Sequence, residues 1–294
     1  MKDILKKIRK YEIRVRKAIN SQMQGDFQSV FKGSGLEFDD VRQYQYGDDI
    51  RTIDWNVSAK GHGTFVKTFR EEKEQSVFFI LDVSASQEIG KKKHQKIDLV
   101  KEISCVLSLA ALNESSQVGV MCYSDQLEKY IKPAKGQRHG YEIINALYNL
   151  TPQSRLTNLD QAIKYSLNLL KRKSIIFLIS DFVDENYLHS LKGMGRKHDL
   201  IVIQIFDRSE SQVPKLGIVP LYEKESGKNI WVNSSSSRFR SHFNRTYKNQ
   251  TETLEDFCRR NDINYLSVDT YEDYVPKLIR LFTYRNKANS QRAR

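Results

Sequence analysis

The sequence predicts an α/β fold, a doubly wound and mostly parallel sheet with helices on both faces. From residue 76 onward the hydrophobic pattern changes repeatedly between the period of a strand and that of a helix. The strand segments are apolar almost throughout, which is typical of parallel strands that are covered on both faces. Strands that alternate with helices indicate crossover connections, and hence an open sheet that binds ligands at the carboxyl ends of its strands.

Each element of this sheet follows from its own segment. Apolar runs predict five strands, at residues 77–82, 117–123, 174–180, 200–206 and 263–268. Helical spacing predicts six helices, at residues 94–113, 140–150, 158–171, 185–195, 239–261 and 271–284. Two further segments are short: residues 126–133 are expected to form an edge strand, and residues 217–233 a hairpin that turns at Ser226–Gly227.

The first 75 residues have a different character. Apolar side chains recur at roughly helical spacing among many Lys and Arg between residues 2 and 22, at Ile4, Leu5, Ile8, Val15, Ala18 and Ile19. We expect this basic amphipathic helix to pack on its own domain; the alternative is that it contacts a membrane surface or a partner. Residues 23–75 are dense in Gly, Asp, Arg and aromatic residues, and only their last part, TFVKTFREEKE, alternates like a half-buried strand.

The chain is therefore expected to have three parts. Residues 1–75 are an N-terminal basic helix and a Gly/Asp/Arg-rich segment packed on the main domain, residues 76–284 are the sheet domain with its inserted hairpin, and residues 285–294 are a basic tail without an apolar anchor.

Hydrophobic residues make up 39% of the chain, enough for a substantial core. Because no apolar run approaches about 18 residues and no secretory signal is recognisable, we expect a cytoplasmic protein without a transmembrane helix.

The three cysteines predict no redox or catalytic chemistry. Cys105, Cys122 and Cys258 lie far apart, and none belongs to a CxxC pair. Cys105 and Cys122 fall within apolar patterns, where a thiol behaves as a small hydrophobic group. We expect all three to be reduced structural thiols.

The net charge of +12 is the one unusual bulk property of the chain. It suits nucleic acid, an anionic membrane surface or an acidic protein as a partner. A nucleic-acid-binding protein that uses its basic surface, with Tyr11, Phe239 or Tyr247 available for stacking on bases, is therefore an alternative function. Acidic residues are interleaved with the basic ones along most of the chain, which argues against this alternative.

Polar side chains follow two strands of the predicted sheet where a ligand site is expected. The strand that begins the sheet ends in Asp82, and Ser84 and Ser86 follow at alternate positions. The strand at 174–180 is followed by a second carboxylate, Asp181, and Thr157 stands at or just before the N-cap of the helix at 158–171. All five side chains are hard oxygen donors, suited to Mg²⁺, Mn²⁺ or Ca²⁺ and poorly suited to zinc.

The composition of this set favours binding over catalysis. Two carboxylates and three hydroxyls leave a bound cation short of negative charge, so that an Mg²⁺ with one open position would attract a carboxylate from a partner. An aspartyl nucleophile would require a second carboxylate two residues on, where Ser84 stands. The chain also contains neither a GxxxxGK[ST] phosphate loop nor a GxSxG elbow. The plainest alternative is that Asp82, Ser84 and Ser86 only cap the following turn.

Three short motifs carry a resemblance to a known kind of site. The segments DVSAS, LTNLD and LISDF together resemble the metal-ion-dependent adhesion site of von Willebrand factor A domains. Upstream, GSGLEFDDVRQYQYGDDIRTIDWNVSAKGHGTFVKTFREE resembles the signature of a bacterial family, domain of unknown function fifty-eight, as do IFDRSESQVPKLG and EKESGK downstream. The matching stretches run from about Ser29 to Phe282.

The resemblance implies a non-enzymatic interaction module with a von Willebrand factor A-like fold. Members of this family are typically associated with MoxR-type AAA+ ATPases, so the implied partner is such an ATPase or its client, in protein complex assembly or maturation. Relatives often have Met where this chain has Gln87, a position outside the ligand set. Thr157 follows SRL and not a glycine-rich turn, and here the chain departs from the pattern.

A second cluster of charged and aromatic residues lies upstream, with Arg42, Asp48, Asp49, Arg51, Asp54 and Trp55 in a Gly-bounded segment. It is either a docking face or second site, or a hydrogen-bonded wrap that fixes this segment to the sheet. Exposed ion pairs contribute only about 0–1 kcal/mol each, so a stabilising role requires a network. We expect the structural role.

Overall fold

The computed structural model describes residues 4–10, 12–13, 32–61, 63–74, 76–91, 94–211, 214–222, 225, 227 and 229–292. The strands in this part of the chain are β1 (Lys32–Gln43), β2 (Phe65–Glu74), β3 (Ser76–Asp82), β4 (Gly90–Lys91), β5 (His94–Gln95), β6 (Gln117–Tyr123), β7 (Leu127–Ala134), β8 (Ile175–Ser180), β9 (Asp199–Phe206), β10 (Ile218–Tyr222), β11 (Asn229–Asn233) and β12 (Asn264–Asp269). The helices are α1 (Trp55–Ser58), α2 (Lys96–Asn113), α3 (Gln137–Tyr148), α4 (Leu159–Leu169), α5 (Leu188–Lys197), α6 (Arg208–Ser211), α7 (Ser237–Arg260) and α8 (Val275–Arg292), and residues 4–10 are also helical.

The central sheet has six strands in the order β12-β9-β8-β3-β6-β7. All neighbouring strands are parallel except β7, which runs antiparallel to β6 at one edge. The chain winds outward from β3 to β7 and then returns to place β8 on the other side of β3. The carboxyl ends of β3 and β8 therefore lie side by side where the winding direction reverses, and this is where open α/β sheets bind ligands.

Alternate residues of β3 enter the cores on the two faces of the sheet. Phe79 and Leu81 belong to the core that includes residues of α2, α3 and α8, and the Phe79 ring stacks on Phe177 with 5.0 Å between the ring centroids. Phe78 and Ile80 belong to the opposite core, with residues of α4, α5 and α7. The prediction of a doubly wound, mostly parallel sheet with helices on both faces is confirmed.

The helical residues near the N-terminus contact the main domain. Ile8 is fully buried in the same core as Phe79, and Ile4 and Leu5 pack against that core. The Lys7 ammonium group also binds the Glu102 carboxylate, at 2.5 Å. Most of the remainder of the helix predicted for residues 2–22 lies outside the described residues.

Two elements differ from the expectation. Strand β1 was not predicted; it pairs with β2 in an antiparallel ribbon whose register shifts between Gly33 and Gly35 and again between Phe38 and Asp40, and such shifts destroy the alternation by which a strand is recognised. At the other end, α8 continues to Arg292 in place of the tail expected from residue 285. No Gly or Pro follows residue 276 to end that helix.

The hairpin expected at residues 217–233 is formed by β10 and β11, which pair only with each other in the described part of the chain. Gly227 lies in its loop with a φ of +68°, in the left-handed region that glycine adopts without strain. Ser226, the other residue of the expected turn, lies outside the described residues.

The charged cluster upstream closes the loop between β1 and β2. The guanidinium of Arg42 makes two hydrogen bonds with the Asp48 carboxylate, at 2.7 and 2.8 Å. Asp49 caps a single 3-10 turn, and Asp54 caps α1 by accepting from the backbone of Asn56 and Val57. In the part of the chain that the structure describes, these bonds stay within the ribbon and serve to close its loop.

Candidate functional site

Asp82 is the last residue of β3, and its carboxylate is almost completely buried. Its Oδ1 accepts hydrogen bonds from the backbone N–H of Ser84 at 2.9 Å and from the Ser84 hydroxyl at 2.6 Å. Ser84 is at the N-cap position of a 3-10 turn, yet its side chain makes no capping bond. The hydroxyl is therefore directed to Asp82 and not to the backbone of the turn.

Ser86 lies next to Ser84, and their Oγ atoms are 3.0 Å apart. Two adjacent ligands of an octahedral Mg²⁺ with bonds of about 2.0–2.1 Å are separated by about 2.9 Å. The two hydroxyls are thus spaced as neighbouring ligands of one cation would be.

The second oxygen of Asp82 is held by groups that the sequence did not identify. Its Oδ2 accepts from the hydroxyl of Ser180, the last residue of β8, at 2.6 Å, and from the Gln87 side-chain amide at 3.1 Å. Gln87 is fully buried, and its Oε1 accepts no hydrogen bond from any described residue. Asp82 is thus oriented by four neutral donors. One of them, the Gln87 amide, also carries the buried Oε1 that has no hydrogen-bond partner among the described residues.

Asp181 directly follows β8 and forms a buried ion pair. The Nζ of Lys96, which is completely buried at the start of α2, lies 2.6 Å from Asp181 Oδ2 and 2.7 Å from Glu210 Oε1 in α6. The other Asp181 oxygen accepts from the backbone N–H of Val183 at 3.3 Å. Burial would by itself lower the pKa of Lys96, but the charges of Asp181 and Glu210 outweigh this effect and raise it.

The electrostatics of the site leave negative charge uncompensated. Burial, followed by the nearby charge of Asp181, raises the pKa of Asp82 to about 6. Burial also raises the pKa of Glu210. Three carboxyl groups, of Asp82, Asp181 and Glu210, share one ammonium group, that of Lys96, which contacts only the last two. A cation beside Asp82 would favour the charged carboxylate and so oppose both effects.

Thr157 lies on an adjoining loop, immediately before Asn158, the N-cap of α4. This loop contacts the serine loop through a hydrogen bond from the Ala85 N–H to the Arg155 carbonyl, at 3.1 Å. The Thr157 hydroxyl donates to Glu225 Oε1 at 2.7 Å. Among the described residues it makes no hydrogen bond with Asp82, Ser84, Ser86 or Asp181.

The structure therefore brings the five predicted residues together to different degrees. Asp82, Ser84 and Ser86 are linked by hydrogen bonds, Asp181 is close enough to affect the charge of Asp82, and Thr157 is on the neighbouring loop with its hydroxyl engaged elsewhere. The contacts of Lys96, Glu210, Ser180 and Gln87 were not predicted. Lys96 is 85 and 114 residues from its two partners, a separation that no motif spans. Some of these residues had a weak signal, because Ser180 lies in the LISDF segment, Glu210 in IFDRSESQVPKLG and Glu225 in EKESGK.

The donor set fits a hard divalent cation such as Mg²⁺. No group of three or more His, Cys, Asp or Glu side chains within the described ranges could hold a metal by itself. The set around Asp82 is of another kind, one buried carboxylate beside two hydroxyls, with excess negative charge and the unpartnered Gln87 Oε1, an acceptor that a metal-bound water would satisfy.

Other parts of the molecule bear on the remaining expectations. The three cysteines are free and buried, and burial raises the pKa of Cys122 and of Cys258 to about 12. No described helix has both the length and the apolar character needed to cross a membrane. Of the aromatic residues proposed to stack on bases, Phe239 is half-buried and stacks on Phe243. Tyr11 and the side chain of Tyr247 lie outside the described part.

Comparison with known proteins identifies relatives across most of the chain. A family model described as "Protein of unknown function DUF58" matches residues 40–253. "Uncharacterized protein Rv1480" of Mycobacterium tuberculosis is 23% identical over 283 residues, which cover 95% of this chain and 89% of that protein.

Solved structures also match, at low identity. The crystal structure of the conserved hypothetical protein BatB from Bacteroides thetaiotaomicron is 13% identical, with a TM-score of 0.45, and the match covers 72% of this chain and 99% of that one. The SpRpn10 VWA domain is 13% identical, with a TM-score of 0.40, and the match covers 70% of this chain and 93% of that one. The α/β fold assignment itself comes from the strand order and the packing of the two cores.

Proposed function

The chain belongs to the family described as "Protein of unknown function DUF58", and on that premise we propose that it is a non-enzymatic protein-interaction module that binds a partner's carboxylate through a cation site. One observation carries the proposal: the buried Asp82 carboxylate, held only by neutral donors, lies beside the Ser84 and Ser86 hydroxyls at the topological switch point of the sheet.

The residues of the site have separate roles in this proposal. Asp82, Ser84, Ser86, Thr157 and Asp181 hold the cation, most simply Mg²⁺, with Mn²⁺ or Ca²⁺ as substitutes. The bound cation supplies the positive charge that attracts an external carboxylate. Lys96 occupies one oxygen of Asp181, which favours a role for Asp181 outside the direct ligand shell and leaves the neutral hydroxyls as the direct ligands. A cation held mainly by hydroxyls remains strongly electrophilic.

The hydrogen bonding of the site also favours binding over catalysis. Asp82 accepts four hydrogen bonds, so its carboxylate is held in one orientation and its oxygens are engaged. Lys96 is neutralised by two carboxylates and is closed from solvent, which makes its amine a poor base or nucleophile. Both features suit groups that position a cation.

The proposed partner is a MoxR-type AAA+ ATPase or its client, and the proposed process is the assembly or maturation of a protein complex. This finer assignment comes from the family resemblance. It requires an exposed Asp or Glu on the partner, since a carboxylate is the ligand that a hard cation with an open position takes.

The test is a capture experiment with the full chain as bait and a purified MoxR-type ATPase as prey, in Mg²⁺ and in chelator. We expect Mg²⁺-dependent capture by the wild type and by Asp256→Asn, a control at an exposed acid of α7, and no capture by Asp82→Asn or Ser86→Ala. Capture that is equal in Mg²⁺ and in chelator would refute a cation-mediated contact. If Mg²⁺ raises the melting temperature of the wild type and the ATPase is not captured, the site stands and this partner is wrong.

A further inference from the structure

A carboxylate of the chain itself already contacts the proposed cation site. Glu225 Oε1 lies 2.7 Å from the hydroxyl oxygen of Thr157, its hydrogen-bond donor, and the two residues are 68 positions apart in the sequence. Glu225 belongs to the loop between β10 and β11, whereas Asp82 ends β3, Asp181 follows β8, and the other predicted ligands lie in loops of the sheet domain. The contact therefore joins the hairpin to the site.

The hairpin is separate from the central sheet in the part of the chain that the structure describes. Its two strands pair over five residue positions and belong to no larger sheet in the described part of the chain. Several of its apolar side chains are exposed, including Ile218, Tyr222, Ile230 and Trp231. A two-stranded hairpin is at best marginally stable by itself in water, so where it sits depends on a small number of contacts with the rest of the molecule.

The base of the hairpin, in contrast, is anchored. The Ser234 N–H donates to the Gly217 carbonyl at 2.8 Å, and the Leu216 N–H donates to the Ser234 hydroxyl at 2.9 Å. The Arg240 guanidinium in turn donates to the Ser234 carbonyl at 2.8 Å. An arm held at its base and carrying a carboxylate at its loop can engage or release the site without unfolding the sheet domain.

We propose that Glu225 is an internal ligand of the cation site, which takes the position that a partner's carboxylate would occupy. This inference rests on the proposed function. The 2.7 Å between the Glu225 and Thr157 oxygens is close to the separation of about 2.9 Å expected for adjacent ligands of a cation with bonds of about 2.0–2.1 Å. Glu225 also has the chemistry of the expected partner group, a carboxylate.

The consequence is competition between the hairpin and the partner. When Glu225 is bound, this chain supplies the ligand for the open position of the cation. A carboxylate of the partner must then displace Glu225, and with it the hairpin. Binding of the partner and release of the hairpin are then coupled in both directions, because a ligand shifts an equilibrium only through its different affinity for the two states.

The first test uses calorimetry on the full chain to measure the binding of Mn²⁺ alone, and then the binding of acetate to the Mn²⁺-loaded protein. Glu225→Gln keeps the shape of the side chain and removes its charge. The control, Glu142→Gln, removes an exposed carboxylate from α3. We expect Glu225→Gln to weaken Mn²⁺ binding by about tenfold or more, as the loss of a carboxylate from or beside a metal shell does. We also expect the Mn²⁺-loaded variant to bind acetate at lower concentrations than the Mn²⁺-loaded wild type.

The second test needs no metal. In chelator, amide hydrogen exchange in residues 218–222 and 229–233 should become faster in Glu225→Gln and in Thr157→Val, and the double variant should be no faster than the single ones. Independent, additive effects would mean that the two side chains do not hold the hairpin together.

The outcomes separate the two proposals. If the wild type binds Mn²⁺ and Glu225→Gln matches Glu142→Gln for both Mn²⁺ and acetate, Glu225 is not an internal ligand, while the proposed function survives. If the wild type and Glu142→Gln take up no Mn²⁺, the proposed function fails, and the role of Glu225 as a cation ligand fails with it.

Discussion

The ammonium group of Lys96 lies 2.6 Å from the carboxylate of Asp181, in an ion pair that is closed from solvent at both residues. The same ammonium reaches Glu210 at 2.7 Å, so that α2, the end of β8 and α6 meet at one buried charge. The proposed cation site is built next to this cluster, because Asp181 is also the carboxylate whose charge acts on Asp82. The Lys96 ammonium thus binds Asp181, and the proposed metal ion would neutralise Asp82.

Replacing Lys96 should destabilise the protein strongly. Lys96→Met keeps the length of the side chain but leaves Asp181 and Glu210 without their counter-charge in a buried place, which should reduce the free energy of unfolding by about 3–5 kcal/mol. Urea unfolding followed by circular dichroism measures this change. Lys164→Met is the matched control, because the Lys164–Asp160 pair is largely exposed and should contribute less than about 1 kcal/mol. Equal losses for the two variants would contradict the structural role given to Lys96.

Gln87→Met should have little effect on stability, although Gln87 contacts Asp82. The substitution removes one hydrogen bond to Asp82 Oδ2, and it also removes the buried Oε1 that accepts no bond from the described residues. These effects oppose each other, so the free energy of unfolding should change by less than about 1 kcal/mol. The comparison is Ser180→Ala, which also removes a donor to Asp82. It removes no unpartnered acceptor that would offset this loss, so it should destabilise the protein by about 1–3 kcal/mol in the same urea titration. A larger loss in Gln87→Met than in Ser180→Ala would contradict this assignment.

His198 should make the protein less stable in mild acid. Its ring is buried, neither nitrogen has a hydrogen-bond partner among the described residues, and burial, together with the charge of Lys197, lowers its pKa to about 4. In the unfolded chain the pKa of this residue is near 6.5. Between pH 6.5 and 4 His198 is therefore protonated in the unfolded chain and neutral in the folded chain. The contribution to stability is therefore intact above pH 6.5 and lost progressively as the pH falls through this window, by up to about 3 kcal/mol.

The measurement for His198 is the difference between two pH profiles of unfolding. His198→Leu cannot take up the proton, so its free energy of unfolding should fall less steeply than that of the wild type between pH 6.5 and 4. Parallel profiles would mean that the ring is charged, or free to become charged, in the folded protein.

Arg42→Ala should loosen the loop of the β1–β2 ribbon and leave the cation site unchanged. The two bonds from Arg42 to Asp48 close this loop, and Arg51 on the same loop makes no side-chain hydrogen bond to a described residue, so Arg51→Ala is a matched control. Amide exchange at residues 44–48 should become faster in Arg42→Ala only, with unchanged Mg²⁺ binding and partner capture. Loss of capture with an unchanged rate of exchange would favour the docking-face interpretation of this cluster.

The sequence was most informative where periodicity and topology act together. The apolar runs locate the strands of the central sheet, and the rule that ligands bind at strand ends points to Asp82 and Asp181. The geometry of Ser84 and Ser86 followed from the short spacing of the motif, because the two hydroxyls are two residues apart on one turn.

Contacts between distant parts of the chain could not be predicted in this way. Lys96 stands in a helical pattern as an ordinary lysine, and only the fold brings Asp181 and Glu210 to it. Glu225 contacts Thr157 because a hairpin inserted far along the chain reaches back to the site. The irregular register of β1 concealed that strand, since each shift exchanges the faces on which its side chains lie.

The central claim is that Asp82, Ser84 and Ser86 hold a divalent cation, and a manganese-soaked crystal tests it most directly. Data collected at the manganese absorption edge should give one anomalous difference peak within bonding distance of the Ser84 and Ser86 hydroxyls and close to Asp82, and no such peak in crystals of Ser86→Ala. An intact fold with these hydroxyls ordered and no peak beside them, at manganese concentrations well above those in cells, would contradict the account.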